Sequence, residues 1–352
     1  MEGIVKPSVQ RRLNRHATKI LVGGIFLCLI GILFISICSQ PASPAHYMHK
    51  DHDAAHKRDA RFFKNPLEND RDVSFLVIMI ITGPDNKARR ETIRQTWLSS
   101  VPHNIKCLFV VGTKHLTPEK FAELNQEDHE FHDMLLLKDT QDAYERLTAK
   151  VVDAFTWLDM NVNCKFVLKV DDDTFVRVQD VYDELKTRHK EDGALYWGYF
   201  TGDARVKKSG PWKEPDWNLC DRYLPYARGG GYVLSAGLVH FIVANQKYFK
   251  KYKSEDVSIG AWLGPLEITK LHDQRFDTEY KTRGCSNDLL LAHKQSIEDM
   301  KEKHENLLKI SKLCKKEEHI FESYVYDWNA LPSKCCKRQD SKVNSDKPKE
   351  LK

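Results

Sequence analysis

The sequence predicts an α/β domain built on a parallel sheet wound with helices. Two observations predict it. From residue 74 to residue 170, apolar runs of strand length alternate with stretches of helical character, the pattern left by βαβ units. One of these runs, Phe166-Val167-Leu168, also leads into three adjacent carboxylates, Asp171, Asp172 and Asp173. In open α/β sheets, ligands bind beyond the carboxyl ends of the strands, which is where these acids fall.

In chain order, five segments precede, form or follow that domain. Residues 1–19 carry Lys6, Arg11, Arg12, Arg15 and Lys19 and form a short cytosolic tail. Ile20 to Cys38 is a 19-residue run without a charge, long enough to cross a bilayer as a helix. Residues 39–49 hold no Lys or Arg, so the positive-inside rule makes residues 20–38 a type II signal anchor with the rest of the chain lumenal. A cleaved signal peptide is the competing reading, but its apolar core stops at about 7 to 15 residues. Residues 39–71 are rich in Ala, His, Asp, Lys and Pro and read as a stem. His46, His49, His52 and His56 within it read as solvated linker rather than as a metal site.

The body, residues 72–337, opens with a strand at Ser74 to Thr82 and a helix at Lys87 to Leu98. A strand at Lys106 to Val111, a helix at Pro118 to His129 and a strand at Met134 to Leu137 follow. The helix from Ala143 to Leu158 places Tyr144, Leu147, Val151, Phe155 and Leu158 on one face, and Lys165 to Val170 is the strand that ends at the acidic run. Residues 338–352 lack apolar periodicity and read as a disordered basic tail.

The formal charge of +5 resides at the ends, with +4 on residues 1–19 and +3 on 337–352, which leaves −2 for the rest. Such a body offers nothing to nucleic acid. Of nine cysteines, Cys28 and Cys38 lie in the anchor. The other seven would sit in an oxidising compartment and allow three disulfides and one free thiol. No Cys-x-x-Cys pair or Cys/His ladder is present, which argues against structural zinc.

Three adjacent anions require a cation, protonation or full solvation. At an effective dielectric of ~20, two carboxylates about 4 Å apart repel by roughly 4 kcal/mol. Oxygen ligands favour Mn²⁺ or Mg²⁺, and either ion prefers to share its shell with phosphates, which points to a nucleoside diphosphate. A solvated acidic turn would leave the same letters.

Beyond this, the chain resembles a known family. The phrases Arg89-Arg90-Glu91-Thr92-Ile93-Arg94-Gln95-Thr96-Trp97, Asp142-Ala143-Tyr144 with Leu147-Thr148-Ala149-Lys150, the run Lys169 to Phe175, Tyr223-Leu224-Pro225-Tyr226 with Gly229 to Ser235, and Glu255-Asp256-Val257 are similar, in this order, to the β-1,3-glycosyltransferases. The stretches Tyr196 to Phe200, Leu219 to Tyr223, His272 to Tyr280 and Tyr324 to Trp328 resemble the branch that builds the glycosaminoglycan linkage region. The resemblance implies a GT-A-type, Rossmann-like nucleotide-sugar fold, a Golgi location, Mn²⁺ (or Mg²⁺) dependence and inversion at the anomeric carbon. It implies UDP-galactose as donor and a galactosyl-xylosyl proteoglycan core protein as acceptor.

The same resemblance distributes roles. Asp173 is the primary metal ligand, with Asp171 acting directly or through water, and a histidine joins them: His293 matches the position at which relatives supply one, and His272 is the alternative. Asp256 matches the family's catalytic base, with Glu255 orienting substrate or backbone beside it, although Ser254 followed by two acids also suits a helix amino-terminal cap. Lys150 and Lys169 match positions near the nucleotide, to which Asp172 is added. Arg90 and Arg94, four apart on the first helix, share a face that could meet diphosphate or carboxylate groups. Trp97 reads as core. Trp197, Tyr223 and Tyr226 are chosen from the aromatics between 196 and 232 as sugar contacts, and Gly230 as a point where backbone approaches a ligand. Arg146 departs from the family, many members of which carry Asn there. A catalytically silent lumenal chaperone or sugar-binding relative, or a transferase of N-acetylglucosamine, are the alternative functions.

Overall fold

A seven-stranded mixed sheet forms the centre of the computed structural model, which describes residues 72–189 and 192–338. Its first half is the expected parallel wind. Strand β1 (Asp72–Ile81) leads to helix α1 (Lys87–Gln95), β2 (Ile105–Gly112) to α2 (Pro118–Phe131), and β3 (Met134–Leu137) through a short 3₁₀ turn to α3 (Leu147–Asn161) and β4 (Val162–Asp171). β1 pairs in parallel with both β2 and β4, and β2 with β3.

Residues alternate between two cores because both faces of the sheet are covered. Leu76, Ile78 and Ile80 of β1 join Ile93, Leu124, Val181, Leu185 and Met300 on one face; Val77, Met79 and Ile81 join Val151, Phe155, Leu158, Leu238 and Ile259 on the other. Full burial of each such side chain contributes ~1.5–3 kcal/mol relative to exposure.

The second half of the sheet is not a continuation of the parallel wind. After a two-residue strand β5 (Phe175–Val176), helix α4 (Val178–Arg188) and β6 (Leu195–Thr201), the chain enters β7 (Tyr226–Ser235). β7 lies antiparallel between β4 and β6, and β8 (Thr269–His272) closes the edge beside β6, giving the order β3-β2-β1-β4-β7-β6-β8. Helices α5 (Ala236–Asn245) and α6 (Glu255–Leu263) lie between β7 and β8 in the chain. Because β7 runs against β4, its first residues sit beside the acidic end of β4, with Gly231 opposite Val170.

A small sheet completes the site. Strands β9 (Phe276–Asp277) and β11 (Leu291–Ala292) join β5 in the order β5-β11-β9, while β10 (Gly284–Cys285) pairs with β12 (Glu318–His319) on either side of helix α7 (Ile297–Ile310).

Among the described residues two disulfides are present, Cys285–Cys314 and the adjacent pair Cys335–Cys336, whereas Cys107, Cys164 and Cys220 are unbridged. Two of the three bonds the composition allows are therefore formed there. Burial pushes the Cys107 and Cys164 thiols up to about 12, so both stay protonated. No helix of the described residues is long and apolar enough to cross a membrane. The expected cytosolic tail, anchor and stem of residues 1–71 lie outside the described residues, as does the basic tail beyond 338.

Candidate active site

Strand register, rather than sequence proximity, assembles the acidic cluster. β4 ends at Asp171, and the chain turns through Asp172 and Asp173 into β5. β11 pairs antiparallel with β5, Ala292 opposite Phe175, so the residue after β11 falls beside the turn before β5. That residue is His293. The backbone N–H of Gln295 donates to the carbonyl of Asp173 at 2.8 Å and fixes the approach.

Asp171, Asp173 and His293 offer ligand atoms that all lie within 4.8 Å of one another. Nε2 of His293 is 2.9 Å from Oδ1 of Asp173 and 3.6 Å from Oδ2 of Asp171. Despite that closeness, Oδ1 of Asp173 and both ring nitrogens of His293 are buried without a geometrically sound hydrogen bond. Buried polar atoms that face one another but are not bonded are the arrangement a shared cation would satisfy. The donor set of two carboxylates and one imidazole suits Mn²⁺ better than Mg²⁺, which favours oxygen alone. The residues fit the metal.

Gly230 leaves room for this arrangement. A Cβ there would lie 2.5 Å from Nδ1 of His293, closer than any side chain tolerates. At the preceding residue, a Cβ on Gly229 would lie 3.0 Å from Glu255 and 3.2 Å from Asp256. The start of β7 thus passes the base candidate and then the metal cluster in consecutive residues.

Lys169 links the two. Buried in the sheet, its ammonium donates to Asp171 at 2.8 Å, to Glu255 at 2.6 Å and to the carbonyl of Gly229 at 2.6 Å, using all three of its protons. Burial raises Asp171, but the attraction of Lys169 and the contact with His293 outweigh it and hold the carboxyl below its usual range. Glu255 also accepts from the Tyr232 hydroxyl at 2.7 Å, and burial still pushes it up to about 7.

Asp256 is the freer of the two acids on α6. Its Oδ2 accepts from the N–H of Gly229 at 2.9 Å and its Oδ1 from the N–H of Val257 at 2.8 Å, which leaves each oxygen a lone pair. Burial raises its pKa, only partly offset by Lys169, those two N–H bonds and Arg228. Ser254 is the N-cap of α6 but makes no side-chain cap bond. The helix start expected from these letters is real, and Asp256 faces a cavity from it.

That cavity is a cleft of about 660 Å³. Asp171, His293, Gly229, Gly230, Glu255, Asp256, Tyr223 and Tyr226 all line it. A smaller hollow of about 460 Å³ around Arg177, Glu184 and Arg275 shares none of these residues, and its arginines Arg275 and Arg177 are paired, the first with Glu184 and Asp273 and the second with Asp180.

The galactosyltransferase family model matches residues 88–274, more than half of the chain. Mouse beta-1,3-galactosyltransferase 6 is 42% identical over 338 residues, covering 94% of this chain and 98% of that one. The chain belongs to the galactosyltransferase family. It is a glycosyltransferase, and the acids at 171, 173 and 256 fall inside the matched region. A zebrafish UDP-GalNAc:beta-1,3-N-acetylgalactosaminyltransferase 2 is 29% identical over 51% of this chain and 36% of its own length. A probable beta-1,3-galactosyltransferase 5 of Arabidopsis thaliana is 28% identical over 59% and 55%.

In this galactosyltransferase several expected contacts are placed elsewhere. Arg90 is fully buried and bidentate to Glu127 at 2.8 and 2.7 Å, with a third bond to the Gly83 carbonyl. Arg94 is committed to Asp133 and Glu127, each at 2.8 Å. Both arginines hold α1 to α2 and the chain that follows it, so the expected diphosphate contact is corrected for both. Arg90 shares the i, i+3, i+7 face of Ile93 and Trp97, which are core, and that periodicity was a usable signal. Arg89, on another face, is the member of this run that reaches the acidic turn, 4.0 Å from Asp172.

Asp172 turns away from its two neighbours, accepting from Thr82 at 2.6 Å and Asn86 at 2.8 Å at the end of β1. Lys150 is buried on the same side, bonded to Asp142 and the Thr82 carbonyl, each at 2.6 Å. Lys150 and Lys169 thus have protein partners for their charges and brace the site from within.

Trp197 is corrected as well: it is fully buried in the core, edge-on to Phe276, and its Nε1–H donates to Asp273 at 3.0 Å. His272 is excluded as the metal histidine. Its Nδ1 accepts from the N–H of Phe200 and its Nε2–H donates to the carbonyl of Tyr324 at 2.8 Å, while burial lowers it to about 4. Tyr223 and Tyr226 do line the cleft, but mostly buried, in a cluster with Trp217 and Tyr252.

Proposed function

We propose that this enzyme is an inverting, metal-dependent β-1,3-galactosyltransferase of GT-A type. It transfers galactose from UDP-galactose to the 3-hydroxyl of a terminal β-galactose, the Gal-Xyl unit on a proteoglycan core protein. The observation that carries this reading is the shared cleft: Asp171 and His293 line it together with Asp256. Two charge-handling sites, one suited to a leaving diphosphate and one to an incoming alcohol, face one space.

Asp171, Asp173 and His293 would hold the divalent ion, which when bound supplies Lewis-acid neutralisation of charge on the departing diphosphate. Asp256 takes the proton of the acceptor 3-hydroxyl as its oxygen bonds to the anomeric carbon. The bond from that carbon to the diphosphate oxygen breaks with its electron pair, and the configuration inverts because attack and departure occupy opposite faces. Burial makes Asp256 a stronger base than a solvated aspartate. Glu255, with both oxygens bonded to protein, orients rather than reacts.

The charge asymmetry around residues 20–38 supports a single-pass anchor with the catalytic domain lumenal, and the resemblance to glycosyltransferases of the linkage region implies the Golgi membrane. Incubation of residues 72–338 with a panel of UDP-sugars and a galactosyl-xyloside, followed by linkage determination, tests the reading. Transfer of galactose in β-1,3 linkage is expected, and a preference for another donor or another position would overturn it.

A further inference from the structure

The loop between β6 and β7 walls one side of the cleft through Asp203, Arg205, Lys207 and Trp212. Between residues 203 and 220 this loop is largely exposed, and two of its side chains are buried, Glu214 at 4% exposure and Trp217 at 9%. The tryptophan packs against Tyr223 and Tyr252, which is reason enough for its burial. The carboxylate needs another reason, because a charge taken out of water is costly unless it is paired or hydrogen-bonded.

Glu214 commits both oxygens to one short stretch of backbone. Its Oε2 accepts from the N–H of Lys253 at 2.9 Å and its Oε1 from the N–H of Ser254 at 2.6 Å. Ser254 is the N-cap of α6, and Asp256 is the second residue of that helix. In a capping box the N–H of the N-cap residue is met by an acid or amide three positions on. In α6 that position is Val257, whose side chain has no acceptor, and the loop supplies the acid instead.

The same stretch is held from two further sides. The hydroxyl of Thr148 on α3 donates to the carbonyl of Tyr252 at 2.6 Å, and Nζ of Lys250 donates to the carbonyl of Asp216, back in the loop, at 2.7 Å. Beyond it, Asp256 accepts from the N–H of Gly229 at 2.9 Å. Gly229 belongs to β7, so that bond depends on where α6 begins.

We propose that Glu214 is a positioning residue for the transfer: it fixes the start of α6 and thereby aims the Asp256 carboxylate at the acceptor hydroxyl. Glu214 does not itself line the cleft, so it acts through Asp256 and not on substrate. The inference rests on the transferase reading above, in which Asp256 is the base.

The test is a double-mutant cycle on the full-length chain: wild type, Glu214→Ala, Glu214→Gln, Asp256→Asn and the two double variants. For each, kcat with UDP-galactose and a galactosyl-xyloside is counted per folded molecule, and UDP affinity is measured in Mn²⁺. A misplacement on the order of 1 Å costs about 10²-fold, so Glu214→Ala should lower kcat by about that factor with UDP affinity unchanged. Glu214→Gln keeps one acceptor oxygen in the same volume and should recover part of the loss; it takes the alanine's place in the cycle if the alanine variant does not fold. In the Asp256→Asn background neither substitution should lower kcat further, because residues that act as a unit are not additive. Arg90→Met, destabilised outside the cleft, should keep the wild-type kcat per folded molecule. Losses that multiply in the double variants, an unchanged kcat in every Glu214 variant that folds, or failure of both to fold would overturn the inference and leave the transferase reading standing. A wild type that binds UDP yet transfers no galactose would sink that reading and this inference with it.

Discussion

Nζ of Lys169 lies 2.6 Å from Oε1 of Glu255, and this bond ties the strand that ends in Asp171 to the helix that carries Asp256. The ammonium is 1% exposed and the carboxylate 3%. Removing one member of a buried pair leaves the other charge uncompensated, at a cost of about 3–5 kcal/mol. Lys169→Met should therefore lower stability by that order, read as a shift in the urea midpoint. A variant as stable as the wild type would show that the tie is not structural.

The same pair sets a pH dependence. Glu255 is pushed up to about 7 in the folded protein from an ordinary value of 4.5. Between those values the native state holds the proton more tightly than the unfolded chain, so this group's contribution falls as pH rises through the window and levels off above it. Asp171, shifted downward, and Lys169, shifted upward, titrate on either side of that window. Glu255→Gln removes the titration while keeping an acceptor for Lys169. The stability difference between wild type and variant should change steadily from pH 5 to 7.5, and a flat difference would contradict the raised value.

Asp256→Asn keeps an oxygen to accept from Gly229 but cannot take a proton. Transfer should fall by about 10²–10⁴, with Mn²⁺-dependent UDP affinity unchanged and melting temperature lowered only slightly, for the lost bond from the Val257 N–H. Parallel loss of binding and turnover would instead assign Asp256 to folding. In the wild type the acid limb of kcat/KM should lie above that of a solvated aspartate, since protonation of a base with a raised pKa stops turnover at higher pH.

The parallel half of the fold was legible because β1, β2 and β4 are buried on both faces and read as unbroken apolar runs flanked by helices. The antiparallel half was not. β7 contains Arg228 and three glycines, which give no alternation, and the reason for them is tertiary: Gly229 makes room for Glu255 and Asp256, Gly230 for His293 and Gly231 for Leu291. His293 itself depends on β5 and β11, strands of two residues that leave no periodic trace. Only resemblance pointed to it. The donors of Arg90 were misassigned because charge was weighed before helix face.

Arg90 supplies a direct check on that correction. Its side chain is 1% exposed and pairs with Glu127, which is 2% exposed. Arg90→Met should destabilise by about 3 kcal/mol, the low end for a broken buried pair because Arg94 still reaches Glu127. UDP affinity of the folded fraction should not change. The double variant Arg90→Met with Glu127→Leu should recover much of the loss, as apolar replacement of a whole pair often does. A large drop in UDP affinity without destabilisation would return Arg90 to the nucleotide.

Gly230 offers the most selective probe of the metal cluster, since it acts on His293 without altering any ligand. An alanine Cβ would meet the imidazole at 2.5 Å from Nδ1 and 2.6 Å from Cγ, so the ring must tilt and Nε2 must leave its place beside Asp173. Displacing an orienting contact of this kind typically costs about 10–100-fold in metal affinity. Mn²⁺ affinity, measured by titration in the absence of UDP, should weaken accordingly in Gly230→Ala, and Asp173→Ala should weaken both Mn²⁺ binding and Mn²⁺-dependent UDP binding. Gly193→Ala, where an added Cβ meets nothing within 4 Å, serves as the control for glycine replacement itself. If Gly230→Ala bound Mn²⁺ like the wild type while Asp173→Ala did not, the carboxylates would hold the ion without His293, and the imidazole would be only a neighbour of the site.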